Sequence, residues 1–398
     1  MDWSRRGYPV FRLLMPVLAA WCAGTMAMPP DPLPEGCERV LVLPPGPGNP
    51  RNSEGDFITL RDGRILFVYT RFTGGGGDHD RADLVCRESR DNGRTWSSED
   101  RVLVSGEGGM NVMSVSMLRL PSGRLALFYL RKNSVEDCRP VARFSADEGN
   151  TWSEPTEIIQ APVRYYVVNN DRVVLLPSGR LLIPAACHDW RNGRHTPAEA
   201  QVWRSDDEGK TWVAGPVLSP PPEAGDSGLQ EPGVAVCPDG RLLMLCRTSG
   251  GCQFAAWSSD NGDTWSAPVP TNIASPLSPA SVEPIAPEGF LLMAWNDHRL
   301  LPAKQRRYRT PLTVAVSRDG GQSWERVKNL ENNPDGWYCY TAIHDIGDHV
   351  LLGCCAGNRK KNQGLALTEV LRVPKSWIQR PGDRFDTLPA PGLSGGAP

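Results

Sequence analysis

The stretch SADEGNTW, Ser145 to Trp152, sets two adjacent acidic residues beside a serine, a glycine and a tryptophan. Such a set suits a cation-binding loop, a carboxylate pair for acid–base work, or a turn whose side chains cap backbone amides. Copies of the stretch decide among them. SRDNGRTW, SDDEGKTW, SSDNGDTW and SRDGGQSW share the pattern S-x-D-x-G-x-[TS]-W, with aspartates at 91, 147, 207, 260 and 319. A catalytic acid is needed once, so an acid repeated five times is read as a turn-locking residue, with Gly supplying a positive φ and Trp a hydrophobic plug.

The elements that must carry these turns recur as well. LRDGRILFVY, LPSGRLALFY, LPSGRLLIPA, CPDGRLLMLC, APEGFLLMAW and HDIGDHVLLG place a turn glycine at 63, 123, 179, 240, 289 and 347 between strand-like apolar runs. That is a hairpin signature. Each hairpin but the last is followed by one of the eight-residue boxes, and no amphipathic helix intervenes. A unit of this size matches one propeller blade, so the expected fold is all-β: a six-bladed β-propeller with four-stranded antiparallel blades. The sixth hairpin lacks a box, and ERVLVLPPG near the amino terminus is expected to close the ring. The propeller is placed at residues 37–375, followed by a Pro/Gly-rich tail at 376–398.

Composition narrows the partners. The 398 residues are 40% hydrophobic with a formal net charge of -2, and no long basic run offers an electrostatic footprint for nucleic acid or an anionic membrane surface. Residues 1–27 join Arg5, Arg6 and Arg12 to the run LLMPVLAAWCAGTMA, which reads as a signal peptide for export to a secreted or periplasmic location. Arg12 interrupts that run, no other stretch is long enough to span a bilayer, and stable membrane insertion is not expected. Downstream lie ten cysteines without a CxxC pair at metal-ligand spacing, several inside apolar runs, so buried free thiols are expected rather than zinc or bridges.

Function is therefore sought in residues the units do not share, on loops converging at one end of the ring. Five such boxes on six hairpin units, with unshared arginines, a glutamate, a tyrosine and a loop acid, resemble the bacterial sialidase (neuraminidase) superfamily of Asp-box propellers. The resemblance covers the whole expected exported chain. It implies three arginines that clamp a substrate carboxylate, and planar guanidinium groups suit that task because they donate paired hydrogen bonds and stay charged. Arg51 in GNPRNSEGDF, Arg247 in RLLMLCRTSG and Arg309 in RYRTPLTVAV match these positions.

The same resemblance makes Tyr340 in WYCYTAIHDI the nucleophile and Glu231 in LQEPG the base that takes its proton, since a phenol of pKa near 10 needs such help. Tyr338, two residues away, is expected on the same strand face. The general acid/base is expected from TRFTGGGGDHDRADL, where four glycines leave a flexible loop; Asp78 is the first choice, with Asp80 the alternative and otherwise a substrate contact. Asn170 in VVNNDRVVLL is a further substrate-binding candidate, and Asn169, Asp171, Arg172, His188, Asp189, Asn296, Asp297 and His298 either read glycan hydroxyls or form turns.

Two features depart from the family pattern. Arg51 lies in PRNSEGDF rather than an aromatic-R-I-P sequence, and the late glutamate that buttresses that arginine is replaced within LLGCCAGN, leaving Glu54 or Asp56 for the task. The implied activity is an exo-α-sialidase-like glycoside hydrolase that releases terminal sialic acid or a related acidic sugar from glycans with retention of configuration, using no cofactor and no metal. Competing expectations are a non-catalytic glycan-binding or scaffold propeller, and a hydrolase or lyase of another acidic sugar.

Overall fold

The computed structural model describes residues 32–388. The expected signal segment at 1–27 and the last ten residues of the expected tail lie outside them. Among the described residues the fold is all-β, a propeller-like arrangement of antiparallel sheets with only short helical turns. No helix among them is long and apolar enough to cross a membrane.

All six predicted hairpins form, each turning on its glycine at positive φ. Strand Arg51–Thr59 pairs with Ile65–Phe72, then Ala82–Ser89 and Arg101–Val104 follow outward as a four-stranded sheet. Gln230–Val236, Leu242–Arg247, Cys252–Ser258 and Val269–Ala274 make a second such sheet. Ser281–Ile285, Phe290–Trp295, Leu312–Ser317 and Ser323–Glu331 make a third. In the fourth, Gly336–Asp345, His349–Asn358 and Thr368–Pro374 are completed by Glu38–Leu43, so strands from both chain ends share one sheet as ERVLVLPPG predicts.

The expectation of six separate four-stranded blades needs correction. Four sheets are built on that plan, but the second and third hairpins share one nine-stranded sheet. The cause is local. The inner strand of the third unit is broken into Tyr165–Val167 and Val174–Leu175, and the first piece meets the edge of Cys138–Ser145 through a parallel pairing of Tyr165 with Cys138. The expected boundary at 375 also shifts. Trp377 and Ile378 are buried, and Asp383–Asp386 adds a fifth strand beside Ser323–Glu331, so packing continues into the segment assigned to a tail.

The boxes are turns of one design. Asp147 accepts hydrogen bonds from the Thr151 amide (2.9 Å), the Thr151 hydroxyl (2.6 Å) and the Ser145 hydroxyl (2.8 Å), while Ser145 Oγ accepts from the Gly149 amide (2.9 Å). These bonds, those of Thr151 foremost, hold the Asp147 carboxyl down at about 2. Glu148, at φ 58°, faces the other way and accepts from Arg119 (2.7 Å) and the Arg61 amide (2.9 Å) of the preceding hairpin turn, clasping adjacent units. Between the sheets the core is apolar and tightly filled: the Phe57 and Phe67 rings, tilted by 30° with centroids 4.5 Å apart, pack with Leu351 and Val370, and Trp324 is fully buried. All ten cysteines among the described residues are free thiols, eight of them buried.

Candidate active site

The innermost strands share an irregularity that brings side chains of several units together. Their pairing registers shift between Ser53 and Asp56, Met113 and Ser116, Gln230 and Gly233, and Cys339 and Ala342. At or beside each shift one non-glycine residue takes a left-handed conformation: Glu54 (φ 53°), Ser114 (62°), Glu231 (46°) and Tyr340 (57°). Asp171, at 55°, occupies the break in the third unit. A bulge re-aims a side chain, and each such backbone costs about 1–3 kcal/mol, so surrounding contacts must enforce it.

Tyr340 and Glu231 meet at a pocket. The Tyr340 hydroxyl donates to Glu231 Oε1 (3.3 Å), and Arg247 Nη1 donates both to Glu231 Oε2 (2.7 Å) and to the Tyr340 oxygen (3.2 Å). Arg309 lies with its guanidinium carbon 5.2 Å from the Tyr340 ring centre and 5.3 Å from that of Trp337. Its Nη2 donates to the Leu277 carbonyl, while Nη1 is buried with no protein acceptor. Burial, then the Glu231 charge, raises the Tyr340 hydroxyl above the ordinary phenol value against the pull of Arg309 and Arg247. The phenol is thus protonated and hydrogen-bonded to a carboxylate acceptor.

Arg51 anchors a second group. It is 2% exposed, sits over the Phe72 ring at 4.4 Å, and donates to Glu54 Oε1 (3.1 Å), Ser53 Oγ (3.2 Å) and Asp78 Oδ1 (2.5 Å). Glu54 in turn accepts from the Ser114 hydroxyl at 2.5 Å, and burial raises its carboxyl above the usual range against the opposing charge of Arg51. The Asp78 side chain is 60% exposed at the mouth. Desolvation works to raise Asp78, but the charge and hydrogen bond of Arg51, with Lys132, outweigh it and hold the carboxyl below the usual carboxylate range. The Asp78 carbonyl accepts from Lys132 Nζ (2.6 Å) and Asn111 Nδ2 (3.0 Å), which fixes the glycine loop from the neighbouring unit. The two groups sense one another: the charge of Glu231 opposes ionisation of Glu54, and the charge of Glu54 opposes ionisation of Tyr340.

Other candidates hold backbone rather than facing the pocket. Asp80 turns its carboxylate back onto the Gly77 amide (2.7 Å). Asn170 donates to the carbonyls of Gly55 (2.8 Å) and Tyr340 (3.0 Å), tying together the bulges that aim Glu54 and Tyr340. Tyr338 does not share a face with Tyr340: the bulge breaks the two-residue alternation, and Tyr338 packs in the core with its hydroxyl donating to Glu331. Glu54, not Asp56, buttresses Arg51, because Asp56 accepts from the amides of Phe57 and Met117. Arg172, Asn296, His188 and His298 likewise pair with backbone carbonyls. Sequence reasoning missed Ser114, Lys132 and Asn111. A positional signal existed for the first: Glu54, Ser114 and Glu231 each stand nine positions before a hairpin glycine, at 63, 123 and 240.

This pocket sits on a chain whose residues 75–352 match the model of the BNR repeat-like domain. The chain belongs to the BNR repeat-like family. A curated relative of this BNR protein is a sialidase of Bacteroides fragilis (strain YCH46), 24% identical over 320 residues, which cover 72% of this chain and 57% of the relative. The chain thus spans little more than half the length of that relative. Among solved structures, an intramolecular trans-sialidase from Ruminococcus gnavus aligns with a TM-score of 0.68 at 13% identity, over 86% of this chain and 98% of that one. The NanB sialidase from Streptococcus pneumoniae aligns at 0.67 and 14%, over 87% and 72%. A protein of unknown function from Dyadobacter fermentans DSM 18053 aligns at 0.66 and 16%, over 85% and 100%. At these identities the structures speak for the fold. Together with the family match and the curated relative, they bear out the resemblance of this BNR protein to the bacterial sialidase superfamily.

Proposed function

We propose that this protein is a retaining exo-glycosidase that releases a terminal sialic acid, or a related acidic sugar, from glycans. The observation that carries the reading is the Tyr340 hydroxyl bonded to Glu231 and Arg247, in a pocket that also holds Arg309. In this reading Arg51, Arg247 and Arg309 hold the substrate carboxylate. Tyr340 attacks the anomeric carbon as Glu231 takes its proton, and Asp78 protonates the leaving oxygen and then activates water. A neutral phenol suits the attack because it is not repelled by the substrate carboxylate beside the anomeric carbon. Asp80 and Asn170 act by shaping the loop and the bulges. The nine-stranded sheet is read as two units sharing an edge, which makes six around the axis, and residues 1–27 are read as directing export.

Arg51 has two suitors in this scheme. A bound sugar carboxylate shares the charge that now holds Asp78 ionised, so binding raises the Asp78 carboxyl toward the protonated state that a general acid needs. A non-catalytic glycan-binding propeller requires the arginines but no Tyr–Glu hydrogen bond, and the Tyr340–Glu231 contact favours catalysis over it.

The test is release of a fluorescent alcohol from an aryl sialoside by the purified chain. Tyr340→Phe is expected to abolish turnover, and Asp78→Ala to cost about 10²–10⁴-fold with an unactivated sugar leaving group and far less with the aryl one. Release from another acidic glycoside with none from sialosides would overturn the sugar assignment. Equal loss by Asp78→Ala for both leaving groups would overturn its acid role.

A further inference from the structure

A pair of thiols beneath the pocket is used by none of the chemistry above. Cys339 and Cys355 face each other in register on the antiparallel strands Gly336–Asp345 and His349–Asn358. Directly opposed residues of such strands have Cα atoms about 4.5 or 5.5 Å apart, and either spacing lies inside the range a disulfide spans, about 4.4–6.8 Å. Cys355 Sγ lies 3.3 Å from Ser53 Oγ, which also accepts from Arg51, and the positive charge of Arg309 acts on Cys339. The pair therefore stands between two of the pocket arginines, one residue from Tyr340.

We propose that Cys339 and Cys355 form a peroxide-reactive dithiol that closes to a cross-strand disulfide. Cys339 is 3% exposed and Cys355 not at all, so the oxidant must be small, and hydrogen peroxide is of the required size. The Cys339 thiol opposite draws the Cys355 thiol down to about 7 against burial, helped by Ser53 and Arg51, whereas Cys339 is pushed up by burial. One thiolate nucleophile thus faces one protonated partner, the arrangement of a reactive and a resolving cysteine. Elsewhere burial pushes thiols the other way: Cys86 to about 11, and Cys138, Cys187 and Cys246 to about 12.

The steps balance without another reactant. The Cys355 thiolate attacks one peroxide oxygen, an S–O bond forms as the O–O bond breaks, and the departing hydroxide is protonated to water. Cys339 sulfur then attacks the sulfenic sulfur, the S–S bond forms as the S–O bond breaks, and the second water leaves with the Cys339 proton. Two thiols are oxidised by two electrons and one peroxide is reduced to two waters.

The experiment needs no glycan substrate, so its outcome is independent of the proposed activity. The full chain is exposed to hydrogen peroxide, denatured in an alkylating reagent and digested for mass spectrometry. A Cys339–Cys355 cross-linked peptide is expected, abolished by dithiothreitol, with a formation rate that rises about tenfold from pH 6 to pH 8 as Cys355 ionises. Cys339→Ser is expected to leave Cys355 as a sulfenic acid captured by dimedone, and Cys355→Ser to remove the reaction. Both thiols alkylated after peroxide, a cross-link at other cysteines, or over-oxidation of Cys355 without a bond to Cys339 in the unsubstituted chain would each overturn the proposal.

Discussion

Glu54 shows how much a single residue decides. Its carboxylate is buried between Arg51 and the Ser114 hydroxyl, and it fixes the guanidinium that in the proposed function receives a ligand carboxylate. Hydrogen bonds to charged groups contribute about 1.5–3 kcal/mol, so Glu54→Gln is expected to raise KM for an acidic glycoside by roughly 10–100-fold while kcat falls less. Steady-state kinetics checks the split. Asp78 gives a pH signature at the same scale. Arg51 holds it below the usual carboxylate range in the free protein, and in the proposed mechanism a ligand carboxylate relieves that hold, so the basic limb of kcat/KM is expected at lower pH than that of kcat. Identical limbs would contradict the sharing of Arg51. Arg51, Asp78, Glu231, Arg247, Arg309 and Tyr340 stand outside the repeat, and the family resemblance singled them out as candidates. Their partners were not legible, because Ser114 and Lys132 come from strands distant in sequence.

Among the elements, the box and the inner strand follow different rules. The box is local: every hydrogen bond of its aspartate falls within four residues, which is why five copies announce it in the sequence. Its tryptophan reports on packing. Trp324 is fully buried between sheets, so Trp324→Ala is expected to cost about 3–5 kcal/mol in denaturant unfolding. Glu148→Ala loses only a part-exposed clasp to Arg119 and is expected to cost about 1 kcal/mol or less. A reversal of that order would mean the clasps, not the plugs, hold the units together. The inner strands are not local. Apolar alternation predicted their hairpins, yet it placed Tyr338 and Tyr340 on one face, because a bulge at positive φ leaves no mark in the pattern of residue types.

Across the whole molecule, opposed carboxylates set the pH of greatest stability. The box aspartates are held low, three of them at about 2, so their contribution is present above the unfolded value and lost as pH falls toward 2. Other carboxylates are raised by burial, Asp171 to about 6 and Glu331 to about 7, and these favour the folded state less as pH rises through those values. Thermal unfolding is therefore expected to peak between about pH 4 and 6 and to fall on both sides. A midpoint still rising through pH 8 would contradict this balance.

The sequence by itself determined the repeat, the turns and the closing strand, because these rest on contacts between near neighbours or on a pattern that alternates along one strand. It also determined which polar residues stand outside the repeat. Only the tertiary structure decided that Asp78 rather than Asp80 reaches Arg51, that Glu54 rather than Asp56 supports it, that Tyr340 rather than Tyr338 meets Glu231, and that two units share a sheet. The reason is common to all four. The last three depend on where a bulge or a break falls in an inner strand and the first on how Lys132 and Asn111 hold the glycine loop, and all are imposed by partners brought near only when the sheets assemble.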